Sequence, residues 1–251
     1  MPIASQKLHI GDLQEYFSND EILKTKDIAD FYRKYDEDLK NSTINWRVYK
    51  LVKNGALQRI GRGVFKLGQE QQFKPQITKE LKSLNKRLND NYRYLQICIW
   101  NTSILNEFSI HQAAHFLTLV EVEEEAVNSV FQFLKERKLV VFKEPDEEML
   151  TDYLPGNKEA YIVQSLISEA PLQEVNGIQT ATLEKVLVDI FCDEVTFFAY
   201  QGSERSKIFK NAFSKYTINQ NTLLRYARRR GKRNELANYL EQLKLLAVTN
   251  I

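Results

Sequence analysis

Residues 42–68 read STINWRVYKLVKNGALQRIGRGVFKLG, and the fold of the N-terminal part of the chain turns on this stretch. It carries Arg47, Lys50, Lys53, Arg59, Arg62 and Lys66 and no acidic residue, whereas the 251-residue chain is nearly balanced at 35 basic and 33 acidic residues. Local positive charge of that density faces either a polyanion or solvent. Ile44, Val48, Leu51 and Val52 recur at the spacing of one buried helical face, and Ser42 is placed to cap the helix. At about 100° per residue, the opposite face carries Trp46, Tyr49, Lys50 and Lys53, with Asn45 and Arg47 on its flanks. Asn54-Gly55 closes the helix, because glycine accepts the left-handed backbone of a C-terminal cap.

Two short strands are expected next, at 56–60 and 64–67, joined by the tight turn Gly61-Arg62-Gly63. Upstream, Ile10, Leu13 and Phe17 are spaced for a first helix and residues 21–24 for a short strand. Thr25 is placed to cap a second helix through Ile28, Phe31, Tyr32 and Tyr35. Helix, strand, helix, helix, hairpin is the order of a winged helix-turn-helix, in which the third helix enters the major groove and the wing holds phosphates. Trp46 has two readings: a groove contact, or an indole packed into the core.

A polar stretch, 69–90, is broken by Pro75, and from Tyr92 the texture changes. Strands are expected at 94–99, 117–123, 138–143 and 161–167, with a last one at 177–180. Helices are expected at 110–117, 124–138 and 146–154, and the end of the chain, 182–246, reads as helical with a joint near Gly231. The expected class is therefore mixed α+β. A winged helix-turn-helix at 1–72 is followed by a charged connecting helix or linker at 73–90. A larger α/β domain at 91–251 ends in a helical segment.

A second basic cluster, Arg225, Arg228, Arg229, Arg230, Lys232 and Arg233, reads either as a nucleic-acid contact or as a helix end whose cations complement the dipole. His111 and His115 stand four apart on the expected helix. The zinc-hydrolase motif needs a Glu after the first His, however, and Gln112 stands there, so no metal site is expected. Glu121 and Glu123 alternate on an expected strand and would share a face as in metal-dependent nucleases. Glu124 and Glu125 follow where such enzymes place a Lys, and a solvated strand end is the competing reading. Phosphate-cradling glycine loops, a Gly-x-Ser-x-Gly elbow and a Cys-His pair are absent, so neither catalysis nor a cofactor is expected. Cys98 and Cys192 lie in apolar surroundings and read as reduced thiols. With no leader and no membrane-length apolar run, the expected location is the cytoplasm.

KDIADFY at 26–32 followed by INWRVYKLVKNGALQRIGRGVFKL at 44–67 resembles the winged-helix part of the AbiEi-like antitoxins of type IV toxin-antitoxin systems. TATLEKVLVDIF at 180–191 and LLRYARRRGKRNELANYL at 223–240 are similar to that family's C-terminal blocks, with Leu183 and Lys185 in place of a Pro and an Arg. The resemblance implies a transcriptional regulator that binds inverted repeats at its own promoter and counteracts a nucleotidyltransferase-like toxin. It further implies that Asn45, Trp46, Arg47, Tyr49 and Lys50 face base edges or groove walls, while Arg59, Arg62 and Lys66 hold phosphates. Two other functions fit the residues: a metal-dependent nucleic-acid hydrolase targeted by its winged helix, and a winged helix that binds protein through Trp46 and Tyr49.

Overall fold

The computed structural model describes the chain except residues 1–7, 19, 21, 69–72, 112, 114, 147, 151–158 and 247–251. The chain is a mixed α/β protein in two compact units. The first comprises residues 1–73 together with 212–221 and 244–251; the second comprises 74–211 and 222–243.

In the first unit, α1 (Ile10–Tyr16), β1 (Leu23–Lys24), α2 (Thr25–Arg33) and α3 (Asn41–Lys53) precede a hairpin of β2 (Leu57–Gly61) and β3 (Val64–Leu67). The strands form an antiparallel sheet in the order β1-β3-β2. Its core joins Leu13 and Phe17 of α1, Ile28, Phe31 and Tyr32 of α2, Ile44, Val48 and Leu51 of α3, and Leu57 and Phe65 of the hairpin. The period read in the sequence for α3 is thus the period of burial, and Gly55 beyond its end has φ +77°, as a helix stop of this kind requires.

Both expected helix caps are corrected. Helix α2 starts under Lys24, whose N–H donates to the Asp27 carboxylate at 2.7 Å, a contact that favours a helix N-terminus. Thr25 is otherwise engaged: its N–H (2.9 Å) and its Oγ1 (3.2 Å) both donate to the Gly63 carbonyl, tying the hairpin turn to the start of α2. Helix α3 begins at Asn41, one residue before Ser42, and no side chain caps it; Asn41 Oδ1 instead accepts from Arg33 at 2.9 Å.

The sheet face turned away from the helices is covered by residues from far along the chain. Gln58, buried in β2, donates to the Ile218 carbonyl at 2.9 Å, and Thr217 Oγ1 donates to the Gly55 carbonyl at 3.0 Å. Phe73 meets Tyr216 edge-on with ring centroids 5.5 Å apart. A polar Gln in a strand is tolerated here because its amide has a carbonyl to bond.

The second unit contains α4 (Lys79–Asn91), β4 (Ile97–Asn101), β5 (Leu117–Val122), α5 (Val127–Lys135), β6 (Val140–Lys143) and β7 (Ala160–Ser165). These are followed by β8 (Leu172–Val175), β9 (Ile178–Ala181) and α6 (Leu183–Cys192). Helices α7 (Ser203–Lys215) and α8 (Gln220–Arg229) contribute most of their length to this unit, and α9 (Arg233–Gln242) lies within it. The four-stranded sheet runs β4-β5-β7-β6: β4 is antiparallel to β5, while β5, β7 and β6 are parallel. One face stacks Ile97, Ile99, Val120, Val122 and Val163 against Leu81, Leu84 and Leu88 of α4 and Val130 and Leu134 of α5. By strand alternation, Cys98, Trp100, Leu119, Glu121, Ile162 and Gln164 belong to the other face.

The sequence expectations for this unit are met only in part. Residues 102–107 form a 3₁₀ helix opened by Asn101, whose side chain accepts from the Ser103 N–H at 2.8 Å. Among the described residues of 110–117 the expected helix is not formed: Ile110 and His111 lie in a bend with both amides bonded to Glu204 Oε1, and strand β5 has begun at Leu117. Only the start of the helix expected at 146–154 falls on described residues. Strand β8 was not expected. Asn176-Gly177, with φ +53° and +76°, makes the two-residue turn joining it to β9, and an Asn-Gly between apolar runs is the signal that would have found it.

Candidate nucleic-acid interface

Burial of Ile44, Val48 and Leu51 turns the opposite side of α3 outward. Trp46 is 46 % exposed and Tyr49 60 % exposed, so the core-packed reading of Trp46 is corrected: the indole is largely outside. Lys50 Nζ lies 5.5 Å from the Trp46 ring centroid, placing a cation beside an aromatic face on the same surface; Asn45 and Lys53 are exposed as well. Arg47 is held differently. Its guanidinium sits over the ring of buried Tyr32, 4.6 Å from the centroid, so it lies on the flank of α3 nearest α2 and is only half-exposed.

Arg62 is exposed in the hairpin turn, whose left-handed Gly63 (φ +71°) is tied down by Thr25. Arg59 is opposite Phe65 in the register and its guanidinium lies 5.3 Å from that ring. Lys66 is opposite Gln58, and since successive side chains alternate across a sheet, Arg59 and Lys66 project from opposite faces of the hairpin. Arg59 and Lys66 thus do not share a face of the hairpin, and Lys66, half-exposed, lies on the face of Gln58. Trp46, Tyr49, Lys50 and Lys53 share the outward face of α3, Asn45 and Arg47 flank it, and Arg62 caps the hairpin.

The second basic cluster is partly paired from within. Arg225 lies 3.9 Å from Glu169 and Arg229 contacts the same carboxylate, Arg230 lies 3.6 Å from Asp189, and Lys232 lies 2.7 Å from Glu235. Arg228 and Arg233 are exposed. The like-charge repulsion is thus relieved in part by the chain's own acids, Arg225 and Arg229 sharing one carboxylate.

His111 and His115 are not on a helix, so their spacing confers no shared face, and among the described residues no group of three His, Cys, Asp or Glu is placed to hold a metal ion. Glu121 and Glu123 do not share a strand face either: β5 ends at Val122, and Glu123 is exposed beyond it. Glu121 itself is 1 % exposed, which corrects the reading of a solvated strand end.

Glu121 belongs to a buried charge network that sequence reasoning missed. Lys185 Nζ, fully buried, lies 2.7 Å from Glu121 and 2.5 Å from Asp189. Trp100 Nε1 and Gln164 Nε2 donate to Glu121 at 3.1 Å each, and the Tyr226 hydroxyl donates to Asp189 at 2.9 Å. Burial opposes the charge on Lys185, yet Asp189 and Glu121 outweigh burial and hold its ammonium well above the ordinary lysine value. Burial pushes the Tyr226 phenol upward, and the Asp189 charge adds to it. Lys185 and Asp189 stand at i and i+4 on α6, a helix otherwise buried around its circumference, and that spacing is the one available signal of a pair. The cluster binds β4, β5, β7, α6 and α8 together and opens onto no solvent-reached face of Glu121.

Among the described residues no helix is long and apolar enough to cross a membrane. No curated protein matches the sequence. A family model matches residues 43–245, from the first turn of α3 to just beyond α9, and the chain belongs to that family, described as a family of unknown function, DUF6577.

Proposed function

We propose that residues 10–68 are a winged helix that binds duplex DNA, and that the chain is a transcriptional regulator acting on its own promoter. The observation that carries this reading is the exposed face of α3, with Trp46, Tyr49, Lys50 and Lys53 together. It adjoins a hairpin with Arg62 at its turn, in a segment without a single acid. The element order and the β1-β3-β2 sheet support the winged-helix part. An α-helix of this width fits the major groove, where Asn and Lys side chains can address base edges, and an arginine on a wing holds phosphate. The antitoxin part, counteracting a nucleotidyltransferase-like toxin, draws its support from the 180–191 and 223–240 blocks occurring in one chain with this N-terminal segment.

Duplex binding measured by fluorescence anisotropy over a range of salt tests the reading. Specific binding should weaken steeply with salt. Arg62→Ala should weaken all duplexes alike and lower the log–log salt slope by about one unit. Asn45→Ala should instead relax sequence preference, at about 1–3 kcal/mol of discrimination for the base it reads. Lys66→Ala should leave affinity unchanged. No salt-dependent duplex binding at all would overturn the reading. Intact DNA binding by Trp46→Ala, with loss of a protein partner, would favour the interaction-module alternative.

A further inference from the structure

On α1 and α2 the first unit carries a surface of opposite character. An open groove of about 450 Å³ is lined by Asp12, Glu15, Tyr16, Phe31, Lys34 and Tyr35. Its aromatic wall is continuous: Phe31 meets Tyr16 with centroids 5.5 Å apart and Tyr35 edge-on at 5.4 Å. Tyr16 and Tyr35 are each 51 % exposed. Asp12 is held at the rim by Tyr35, whose hydroxyl donates to Oδ2 at 3.1 Å, and by His9, whose Nδ1 lies 3.1 Å from the same oxygen. His9 also stacks on the Tyr35 ring at 4.3 Å, fixing that ring's orientation. Immediately after Tyr35, Asp36, Glu37 and Asp38 are all exposed.

An ammonium already occupies part of this wall. Lys34 Nζ sits 3.9 Å from the Tyr16 ring centroid and donates to the Tyr16 hydroxyl at 2.6 Å. Aromatic faces attract cations by their quadrupole, and a carboxylate beside them adds a directional counter-charge. Tyr35 with Asp12 offers the same pair of features next to it.

We infer that the α1–α2 groove is a docking site for an arginine- or lysine-bearing segment of a partner protein, one basic side chain lying along Tyr35 with Asp12 and Glu15 as counter-ions. Charge complementarity selects this occupant: an acidic segment or nucleic acid would meet Asp12, Glu15 and Asp36–Asp38. The inference stands whether or not α3 binds DNA.

The test titrates a labelled hexa-arginine peptide into the full chain, with hexa-glutamate as control. Asp12→Asn/Glu15→Gln should weaken hexa-arginine binding by about tenfold, while the charge-matched Asp36→Asn/Asp38→Asn changes it by less than about twofold. Tyr35→Leu should weaken binding by about fivefold, and Tyr35→Phe, which keeps the ring, should restore most of it. Lys34→Met, which vacates Tyr16, should tighten it. Equal losses from the two charge-matched pairs would overturn the inference, because binding would then follow net charge rather than the groove. So would failure of the peptide to bind alongside self-association that Asp12→Asn/Glu15→Gln abolishes, which would make a second copy the occupant.

Discussion

Lys185→Met is expected to destabilise the second unit by about 3–5 kcal/mol, the cost of removing one member of a buried ion network and leaving Glu121 without its ammonium and Asp189 with Arg230, 3.6 Å away. Glu121 and Asp189 are each 1 % exposed and Lys185 is fully buried, so water cannot replace the lost ammonium. Trp100, Gln164 and Tyr226 would still donate to the carboxylates, but neutral donors do not offset a missing charge in a low-dielectric interior. Urea unfolding at neutral pH measures the loss. Glu121→Gln added to Lys185→Met should recover much of it, since Gln removes the buried charge that has lost its ammonium and keeps an acceptor for Trp100, while Asp189 keeps Arg230. A Lys185→Met protein as stable as its parent would show that the network is not held charged.

The pH dependence follows with a definite sign. In the parent protein the ammonium of Lys185 is held above the ordinary lysine value, so its contribution is fully present below about pH 10.4 and is lost as pH rises through the higher folded value. Lys185→Met lacks that contribution, so on the alkaline side the stability gap between the two proteins should narrow as pH rises through the folded lysine value. Burial already raises the Asp189 carboxyl in the parent, against the opposing Lys185 charge, and removing that ammonium should raise it further in the variant. A carboxyl raised in the folded state favours folding while protonated, so the variant should lose stability more steeply than the parent as pH rises from mild acid toward neutrality.

Gly68→Ala is the second large effect, expected to destabilise the first unit by about 3 kcal/mol, the upper part of the usual overpacking range. A Cβ at Gly68 would fall 1.9 Å from the Gly55 carbonyl oxygen and 2.8 Å from Thr217 Oγ1. The first of these is backbone and cannot rotate away. Gly68 also donates its N–H to the Ala56 carbonyl at 2.9 Å, so relief by moving the chain breaks the hydrogen bond that closes the hairpin behind α3. Thermal unfolding should report the loss. Gly11→Ala, where a Cβ meets nothing within 4 Å, should leave the midpoint in place or raise it slightly, because alanine is the better helix former. If the α3 surface binds DNA, Gly68→Ala should also weaken that binding without touching an exposed cation.

The parts of the candidate interface legible in the sequence are those set by local periodicity. The exposed face of α3 could be read because a 3.6-residue period separates Ile44, Val48 and Leu51 from Trp46, Tyr49 and Lys50 over a few turns, and burial follows that period. The hairpin could be read because Gly61 and Gly63 bracket the turn. The facing of Lys66 could have been read as well, from the two-residue alternation of a strand, had the pairing of Arg59 with Phe65 been known. That pairing depends on a bulge between Arg59 and Gly61, which shifts the register after a turn whose exact length composition does not settle.

The buried network shows the opposite case. Glu121 stands just before Glu123, Glu124 and Glu125, and acids in a row are ordinarily solvated, so nothing within ten residues marks it as interior. It is interior because β5 lies between β4 and β7 and because Lys185 arrives from 64 residues away to neutralise it. Likewise Arg225, Arg229 and Arg230 read as a basic run without partners in one dimension and meet Glu169 and Asp189 in three. Helix faces, turns and the absence of acids from 42–68 are short-range properties of the covalent order and could be stated before any fold was known. Which charges stay available to a partner is a long-range property: a charge is buried, paired or free according to what the folded chain packs against it, and a burial penalty of several kcal/mol per ion makes that outcome depend on the partner rather than on the neighbours in sequence.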